Sequence, residues 1–361
     1  MFDFFWVPLM VALVSAMATL VLRPVAHRGG LLDRPGGRKR HGGDVPLVGG
    51  IAIMIAVWAG AILFIRDQSH YVALLGGMTI LATVGVADDL RGMSPLTKLG
   101  FQIFAAILMT SWGGVFLMSL GDLMGKREIE LANWGIPLTL FAVVAVINAL
   151  NMMDGLDGLA GGLAFITFGW LAYLAGEVHS NSVQRLCVVL CGALLGFLFF
   201  NAPHPLRGGK RVFLGDAGSL MLGFALAWFS VELSQPVYNA GQHVPPVVML
   251  WVFGFILIDL LSVVLRRAVL GRNPLSADRT HLHHLLLRLN VSPPLVVLII
   301  LLSNLLLGLL GVAGWKLGLP ERFLFLGFVL TALAHLVAMR NASRFLRRLR
   351  RVFRRAGPSE P

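Results

Sequence analysis

Charged residues are scarce in this sequence of 361 residues, since Asp, Glu, Lys and Arg make up only 13% of it while 57% is hydrophobic. Soluble domains usually carry about 25% charged residues. The composition therefore excludes a soluble two-domain enzyme, which the length alone would allow. The apolar residues occur in long runs and do not alternate with polar ones, which excludes a transmembrane β-barrel.

Cysteine is also rare, and the two residues present are Cys187 and Cys191. They lie four positions apart in an apolar run, which places them on one face of a helix as buried, small apolar side chains. This arrangement excludes a disulfide framework, a zinc finger and a CxxC redox site.

Long apolar runs are abundant, and eleven of them can be separated. A bilayer span needs about 20 apolar residues, so we predict an all-α polytopic membrane protein with about eleven transmembrane helices. The only charged residue before the first run is Asp3, and the absence of a basic segment there favours a membrane span over a cleaved signal peptide. We expect residues 1–339 to form a single integral-membrane catalytic domain and residues 340–361 a basic cytoplasmic tail. The predicted spans are 4–22, 46–65, 71–87, 100–119, 137–150, 159–176, 186–201, 219–235, 247–265, 295–315 and 322–339.

Basic residues give the chain its net charge of +12, and their positions indicate its orientation. With the N-terminus outside, 24 of the 30 Lys and Arg residues fall in inner segments and 6 in outer ones. The positive-inside rule then predicts a periplasmic N-terminus and a cytoplasmic C-terminus. The Arg-rich tail is expected to bind anionic lipid headgroups, and nucleic acid is not expected as a partner. The inner segments are 23–45, 88–99, 148–158, 202–218, 266–294 and 340–361.

Only 18 residues are acidic, and carboxylates at a membrane are costly and tend to be functional. Those on the predicted cytoplasmic side lie in short polar strings at the ends of spans. The first string, GVADDL at 85–90, closes an apolar run with Asp88 and Asp89. Their repulsion would be relieved by a divalent cation or by Lys98, which also suits a phosphate. A solvated loop start is the alternative.

The second string is NALNMMDGLDGLA at 148–160, with an Asn or Asp at every third position. On one continuous helix these side chains would spread over half the circumference and could not converge. Gly155 and Gly158 predict a break that turns them toward one point, where their oxygens would suit a hard cation. A polar turn is the alternative. The four residues are Asn148, Asn151, Asp154 and Asp157.

The third string is GGKRVFLGDAGS at 208–219, just before a span. Its glycines would let backbone amides approach a phosphate, and Asp216 could hold a metal ion. A glycine-rich stretch on its own is a weak signal, so a structural loop remains the alternative.

The fourth string is SADRTHLHHLL at 276–286, with three histidines and an arginine in the longest inner loop. A zinc site is not favoured, because no Cys lies near the histidines to complete it. Phosphate binding or acid–base chemistry is favoured over a solvated basic face.

Isolated polar residues elsewhere in the sequence give weaker evidence about function. Asp259 lies inside the ninth span, where an ion pair with Arg266 and Arg267 or a place in the site are both open. The isolated histidines are expected to have no chemical role; they are His179, His243 and His335.

Taken together, these strings predict one cytoplasmic site at the membrane edge. The chain has no Walker A string and no serine nucleophile elbow, so the residues favour Mg²⁺-assisted transfer of a phosphate-bearing group. The membrane location predicts that one substrate is a lipid. A transporter of a phosphorylated or lipid-linked solute and a membrane scaffold with a functional basic tail are the competing hypotheses.

Five strings occur in the following order along the chain: RKRHGGDVPLVGG (38–50), GVADD (85–89), NALNMMDGLDGLA, VFLGDAGS (212–219) and DRTHLHH (278–284). In this order they resemble the polyprenyl-phosphate N-acetylhexosamine-1-phosphate transferases, and the WecA/TagO-like branch most. The resemblance implies transfer of GlcNAc-1-phosphate from UDP-GlcNAc to undecaprenyl phosphate. The products would be undecaprenyl-diphosphate-GlcNAc and UMP, and the reaction would initiate a cell-envelope glycan such as O-antigen or enterobacterial common antigen.

The resemblance also implies roles for individual residues. Mg²⁺, with Mn²⁺ as a substitute, would bind Asp216 and Asn151, and Asp88, Asp89, Asp154 and His281 would be catalytic. The substrate-binding residues would be His41, Lys98, Asn148, Asp157, Phe213, Arg279, His283 and His284. The expected location is the bacterial cytoplasmic (inner) membrane, and a homodimer is compatible with the sequence.

The histidine string bears on the donor. His281-Leu-His283-His284 is followed by Leu285 and Leu286, whereas the peptidoglycan-precursor branch has a longer all-His string followed by aromatic and acidic residues. A UDP-N-acetylhexosamine is therefore favoured over UDP-MurNAc-pentapeptide, and another UDP-N-acetylhexosamine is an alternative to UDP-GlcNAc.

Overall fold

The computed structural model describes residues 2–34, 43–65, 69–239, 242–269, 271 and 281–355. A two-residue hairpin pairs β1 (Leu32–Asp33) with β2 (Val45–Pro46), antiparallel, and four short 3₁₀ turns lie between helices. The helices are α1 (Phe2–Gly29), α2 (Gly49–Phe64), α3 (Val72–Arg91), α4 (Pro95–Ser111), α5 (Gly135–Met153), α6 (Leu159–Glu177), α7 (Asn181–Asn201), α8 (Gly215–Ser234), α9 (Pro246–Val269), α10 (Leu282–Arg288), α11 (Pro293–Lys316) and α12 (Glu321–Arg355).

The polytopic helical architecture predicted from the apolar runs is confirmed. Within the described residues, nine helices are long and apolar enough to cross a membrane: α1, α3, α5, α6, α7, α8, α9, α11 and α12. Two more predicted spans correspond to the shorter helices α2 and α4, of 16 and 17 residues. Large apolar side chains are exposed on the outer helix faces, as contact with lipid requires; examples are Leu13, Leu63, Phe141, Leu306 and Leu330.

Two predicted boundaries differ from the structure. α4 begins and ends earlier than the predicted span 100–119. It begins earlier because Ser94 caps the helix by accepting a hydrogen bond from the Thr97 N–H at 3.1 Å, and because Pro95 suits the first helical position. After Ser111 the chain forms no helix up to residue 131, where an isolated antiparallel bridge pairs Ser119 with Glu130. α12 runs without a break past residue 339, where we expected the tail to begin.

α8 lies at the centre of the bundle, where every residue from Ala217 to Ser234 is buried. Two glycines let α2 and α3 approach its first turn. A Cβ on Gly50 would lie 2.2 Å from the backbone N of Gly218, and a Cβ on Gly85 would lie 2.1 Å from the backbone N of Ala217. Only glycine fits such contacts between backbones. They hold the carboxylate-bearing end of α3 against the start of α8.

Substituting Gly85 by alanine tests this contact. The added methyl group would overlap the backbone of α8, so we expect Gly85→Ala to lower the thermal midpoint of the purified protein and the fraction recovered folded. Gly76→Ala is a matched control in the same helix, since no atom would lie within 4 Å of its Cβ. Alanine is worth about 0.5–1 kcal/mol more than glycine in a helix interior, so the control should not lose stability. Equal midpoints for the two variants would contradict the close contact.

α9 bends at Gly254, whose backbone (φ 32°, ψ −100°) is not helical. The bend frees the N–H of Phe255, which donates to Oδ1 of Asn304 in α11 at 3.1 Å. A side chain of a neighbouring helix thus replaces the lost helical acceptor, as the absence of water in a bilayer requires. The bend is fixed between α9 and α11, and the half of α9 beyond it carries Asp259.

Candidate active site

Three helix ends meet around Lys98, which follows the cap of α4. Its Nζ atom lies 2.8 Å from Oδ2 of Asp88 at the end of α3 and 3.0 Å from Oδ2 of Asp216 at the start of α8. Burial lowers the pKa of Lys98, but the two carboxylates outweigh that effect and hold it above its ordinary value. The side chain is therefore an ammonium ion at neutral pH. It joins the first and third strings of the sequence in one ionic cluster.

Asp89, the neighbour of Asp88, holds the first turn of α8. Its carboxylate oxygens accept the backbone N–H of Asp216 at 3.1 and 3.3 Å, which suits a negative charge at a helix start. Gly215 has φ +71°, and a Cβ there would lie 2.6 Å from Oδ2 of Asp89. Meanwhile Oδ1 of Asp88 accepts the N–H of Met93 at 2.5 Å. Thus the adjacent acids have different partners, and both help to place Asp216.

The second string breaks where its glycines predict. α5 ends at Met153, and Gly158 adopts a left-handed conformation (φ +81°) before α6. Asn151, in the last turn of α5, donates from Nδ2 to Oδ1 of Asp216 at 3.0 Å and to Oγ of Ser219 at 2.8 Å. The break therefore separates Asn151 from the turn that carries Asp154, and Asn151 binds the carboxylate oxygen of Asp216 that Lys98 does not contact.

Asp154 lies in this turn. Its side chain is accessible to solvent, but it is surrounded by neighbouring helices that partly desolvate it. This desolvation, together with the negative charges of Asp216, Asp89 and Asp157, raises the pKa of Asp154 to about 8. The site thus concentrates more negative charge than Lys98 alone neutralises.

Asp157 pairs with two arginines of the loop before α8. Its Oδ1 lies 2.7 Å from Nη2 of Arg211, and its Oδ2 lies 3.3 Å from Nη1 of Arg207. The Arg211 guanidinium also lies over the ring of Phe213, 4.7 Å from its centroid. The structure therefore brings together Asp157 and Phe213, both of which were predicted to bind substrate, through their contacts with Arg211.

Asn148 faces a different helix from the rest of its string. Its Nδ2 donates to Oε1 of the buried Gln102 in α4 at 2.6 Å and to the carbonyl oxygen of Val144 at 2.8 Å. These contacts link α5 to the helix of Lys98. The prediction that Asn148 binds substrate stays a prediction.

The histidine string begins at His281, whose Nδ1 lies 2.6 Å from Oδ2 of Asp259. Nε2 of His335 lies 3.5 Å from Oδ1 of the same carboxylate. The described partners of Asp259 are thus two histidines and the backbone N–H of Leu282, at 3.1 Å. From the sequence, an ion pair with Arg266 and Arg267 and a place in the site were both left open. His335, which is isolated in the sequence, reaches Asp259 because α12 packs beside α9.

The remaining histidines follow in a stack. The rings of His281 and His283 are 5.7 Å apart and nearly parallel, at 11°, and His284 lies 4.1 Å beyond His283. His283 is buried beside Gly155, which places the stack against the turn of Asp154. Burial, with His284 and His281 nearby, lowers the pKa of His283 to about 3. His41 and Arg279, also predicted for the site, lie outside the described residues.

The side chains around Asp216 fit a magnesium ion that shares its ligands with a substrate. Within the described ranges, no three His, Cys, Asp or Glu side chains form a group that could enclose a metal. Mg²⁺, however, usually binds one or two carboxylates together with substrate phosphates and water. Asp216 and Asn151 offer carboxylate and amide oxygens of that kind, and the surplus negative charge favours a cation. These two residues would hold the ion.

Sequence reasoning missed four residues that position this site. Asn201, at the end of α7, accepts the Gly158 N–H at 2.6 Å and donates to the carbonyl oxygen of Val212 at 2.9 Å. It thereby ties the second string to the third. A polar residue that ends an apolar run was the available signal for it. The other three are Gln102, Arg207 and Arg211.

Comparisons with known proteins show the family of this chain. A family model described as glycosyl transferase family 4 matches residues 71–234, which contain Asp88, Lys98, Asn151 and Asp216. The undecaprenyl-phosphate alpha-N-acetylglucosaminyl 1-phosphate transferase of Haemophilus influenzae is 34% identical over 96% of this chain and 97% of its own. Proteins of the same name from Yersinia pestis and Escherichia coli K12 are each 33% identical, over 96% and 97% of this chain and 95% of their own. The chain therefore belongs to glycosyl transferase family 4, among the polyprenyl-phosphate N-acetylhexosamine-1-phosphate transferases that its motifs resemble.

Proposed function

We propose that the protein transfers GlcNAc-1-phosphate from UDP-GlcNAc to undecaprenyl phosphate, giving undecaprenyl-diphosphate-GlcNAc and UMP. The observation that carries this proposal is the position of Lys98 between Asp88 and Asp216. This ammonium ion joins an acid of the first string, predicted to be catalytic, to Asp216 of the third string, predicted to bind the metal ion. The names of the relatives, similar over nearly their whole length, support the same reaction.

In this reaction an oxygen of the lipid phosphate attacks the sugar-bearing phosphorus of the donor, and the bond from that phosphorus to the oxygen of UMP breaks. Catalysis of such transfers depends mainly on positioning and on electrostatic stabilisation. Lys98 would contact the diphosphate, and an acid of the Asp88–Asp89 pair would keep the attacking oxygen deprotonated. Asp157, Arg211 and Phe213 would hold the uridine end.

We propose Mg²⁺ as the cofactor, with Mn²⁺ able to replace it, bound by Asp216 and Asn151. When bound, the ion would offset negative charge on the diphosphate and on the departing UMP. The acids around it, only partly neutralised by Lys98, supply the negative charge that would retain it. These residues therefore have two tasks, to bind the ion and to orient the donor.

The proposed topology has eleven spans, an outer N-terminus and a cytoplasmic C-terminus, in the bacterial cytoplasmic membrane. The site residues support it, because they lie at one end of the bundle, at the ends of α3, α5 and α7 and the starts of α4 and α8. The segments predicted to be inner, which hold 24 of the 30 Lys and Arg residues in the sequence, include the ends of α3 and α5 and the starts of α4 and α8. UDP-GlcNAc would thus be taken from the cytoplasm, and the product would prime a cell-envelope glycan such as O-antigen or enterobacterial common antigen.

Release of UMP tests the proposal directly. Purified protein in detergent, given UDP-GlcNAc, undecaprenyl phosphate and Mg²⁺, should release UMP in proportion to lipid product. Omitting the lipid should stop release, and chelation with EDTA should stop it until Mg²⁺ is restored. A panel of UDP-sugars, including UDP-GalNAc and UDP-MurNAc-pentapeptide, identifies the donor. Absence of UMP with every donor would overturn the function, and full activity in EDTA would overturn the metal.

A further inference from the structure

Gln102 is a buried amide in α4, 3% exposed, that has no role in the proposed reaction. Its Oε1 accepts a hydrogen bond from Nδ2 of Asn148 in α5 at 2.6 Å, and its Nε2 donates to Oδ1 of the same side chain at 3.5 Å. Two amides of neighbouring helices thus form a reciprocal pair inside the bundle. Such bonds between helices satisfy polar groups that water does not reach in a bilayer.

The orientation of the Asn148 amide is fixed by its other partner. Its Nδ2 lies 2.8 Å from the carbonyl oxygen of Val144, which can only accept, so this atom must be the nitrogen. An amide nitrogen carries two hydrogens, and both are donated, one to Val144 and one to Gln102. What the pair offers to the site is therefore the relative position of two helices.

The pair lies about one helical turn deeper in the bundle than the ionic cluster. Gln102 follows Lys98 by four residues in α4, about 6 Å along the helix axis. Asn148 precedes Asn151 by three residues in α5, about 4.5 Å along its axis. Lys98 and Asn151 bind different oxygens of Asp216, at 3.0 Å each. The distance between α4 and α5 therefore decides whether both side chains reach this carboxylate at once.

The first turns of α4 depend on the pair for their position. No residue of α4 before Gln102 is buried, so the stretch that carries Lys98 has no packed side chain to hold it. Lys98 is bonded to Asp88 and Asp216, acids that would also act on the bound substrates or ion. The amide pair involves neither acid, so it can hold α4 in place while those contacts change. The buried residues of α4 are Gln102, Ala105, Ala106, Met109 and Thr110.

We propose that Gln102 is a positioning residue of the transfer reaction. By bonding Asn148 it holds α4 against α5, at the distance that lets both helices reach the carboxylate of Asp216. The inference rests on the proposed function, in which Lys98 contacts the donor diphosphate and Asn151 helps to hold the metal ion. It adds to that function a residue outside the five strings.

Replacing both amides by leucine removes the pair and leaves no unpaired polar group behind. Such a double replacement costs little stability, so Gln102→Leu/Asn148→Leu should fold. We expect its kcat for UMP release to fall by about 10- to 100-fold, since a displacement of about 1 Å can cost about 10²-fold. Gln102→Leu alone should lose a similar amount. Native kcat in Gln102→Leu, with a loss only in variants that lack Asn148, would overturn the inference.

Combination with Lys98→Met separates positioning from a general loss of packing. Residues that act through one another have non-additive effects on the rate. In a chain that already carries Lys98→Met, adding Gln102→Leu should change kcat/KM by no more than about 2-fold, the scatter expected of such comparisons. If the two losses were instead fully additive, Gln102 would not act through Lys98 and the inference would be wrong.

Acetylation of Lys98 supplies a readout that does not depend on activity. An amine-reactive acetyl ester attacks only the unprotonated amine, which Asp88 and Asp216 make scarce by raising the pKa of Lys98. In the double-leucine variant its acetylation rate, followed by mass spectrometry, should rise about tenfold, as for a pKa lower by about one unit. An unchanged rate would overturn the inference. A native chain that releases no UMP would instead overturn the proposed function, while acetylation would still decide whether the pair places Lys98.

Thr110→Val is the matched control in the same helix. Thr110 is also a buried polar residue, 5% exposed, but its hydroxyl donates within α4, to the carbonyl oxygen of Ile107 at 3.2 Å. Valine has a similar shape, and the change removes no hydrogen bond between helices. We expect native kcat and a native acetylation rate of Lys98. A loss of kcat equal to that of Gln102→Leu would contradict a specific role for the amide pair.

Discussion

Asp216→Ala should abolish UMP release, with a loss of roughly 10³-fold or more, equal to about 4 kcal/mol of transition-state stabilisation. Asp216 accepts hydrogen bonds from Lys98 at 3.0 Å and from Asn151 at 3.0 Å. Its loss would remove the proposed metal ligand and leave both partners without the group that aligns them. Steady-state assays at several Mg²⁺ concentrations measure the effect, and saturating Mg²⁺ should not restore the rate.

Asp122→Ala is the matched control for this change. Asp122 lies in the segment between α4 and α5, where it accepts the Lys126 N–H at 2.9 Å. Asp122 contacts none of the site residues described above, so the activity of the Asp122→Ala variant should remain native. Near-native activity of Asp216→Ala would contradict both the metal assignment and the central place of Asp216 in the site.

Lys98→Met should reduce kcat/KM by about 10²- to 10³-fold, the range found when one preorganised donor to a developing negative charge is removed. Methionine keeps the length of the side chain but not its charge. Asp88 and Asp216, each within 3.0 Å of Nζ, would then repel each other without a cation between them. A diphosphate contact would be lost as well, so KM for UDP-GlcNAc should rise together with the fall in kcat.

Lys126→Met and Lys98→Arg complete this test. Lys126 is exposed in the segment before α5, and its loss should not change the kinetics. Arginine keeps the charge of Lys98 but changes its shape, so Lys98→Arg should have an intermediate rate. If Lys98→Met and Lys98→Arg were equally impaired, charge would not be the property that matters, and the ionic cluster would have only a packing role.

The helices and the main strings could be predicted from sequence because both have local signals. Apolar runs predicted the helices, and Gly155 and Gly158 predicted the break after α5. The contact partners of the polar residues in these strings could not be predicted, because those partners lie in elements that are distant in the sequence. Asp157 was assigned to a substrate, yet it contacts Arg207 and Arg211.

Residues outside the strings show the same limit. His335 was expected to have no chemical role, yet its contact with Asp259 forms only when α12 packs beside α9. Nothing near it in the sequence indicates that packing. The start of α4 did have a local signal, Ser94 followed by Pro95, but the longer apolar run after it suggested a later boundary.

The enclosure of α8 has a consequence for how the chain assembles in the membrane. Among the nine helices described as long enough to span, α8 has the lowest mean hydropathy and contains the carboxylate of Glu232. The helices that surround it most closely, α2, α3, α5 and α6, all precede it in the chain. Because chains are synthesised from the N-terminus, α8 enters the bilayer when its neighbours already exist. We expect it to insert poorly when placed alone in a reporter protein and efficiently behind residues 1–214.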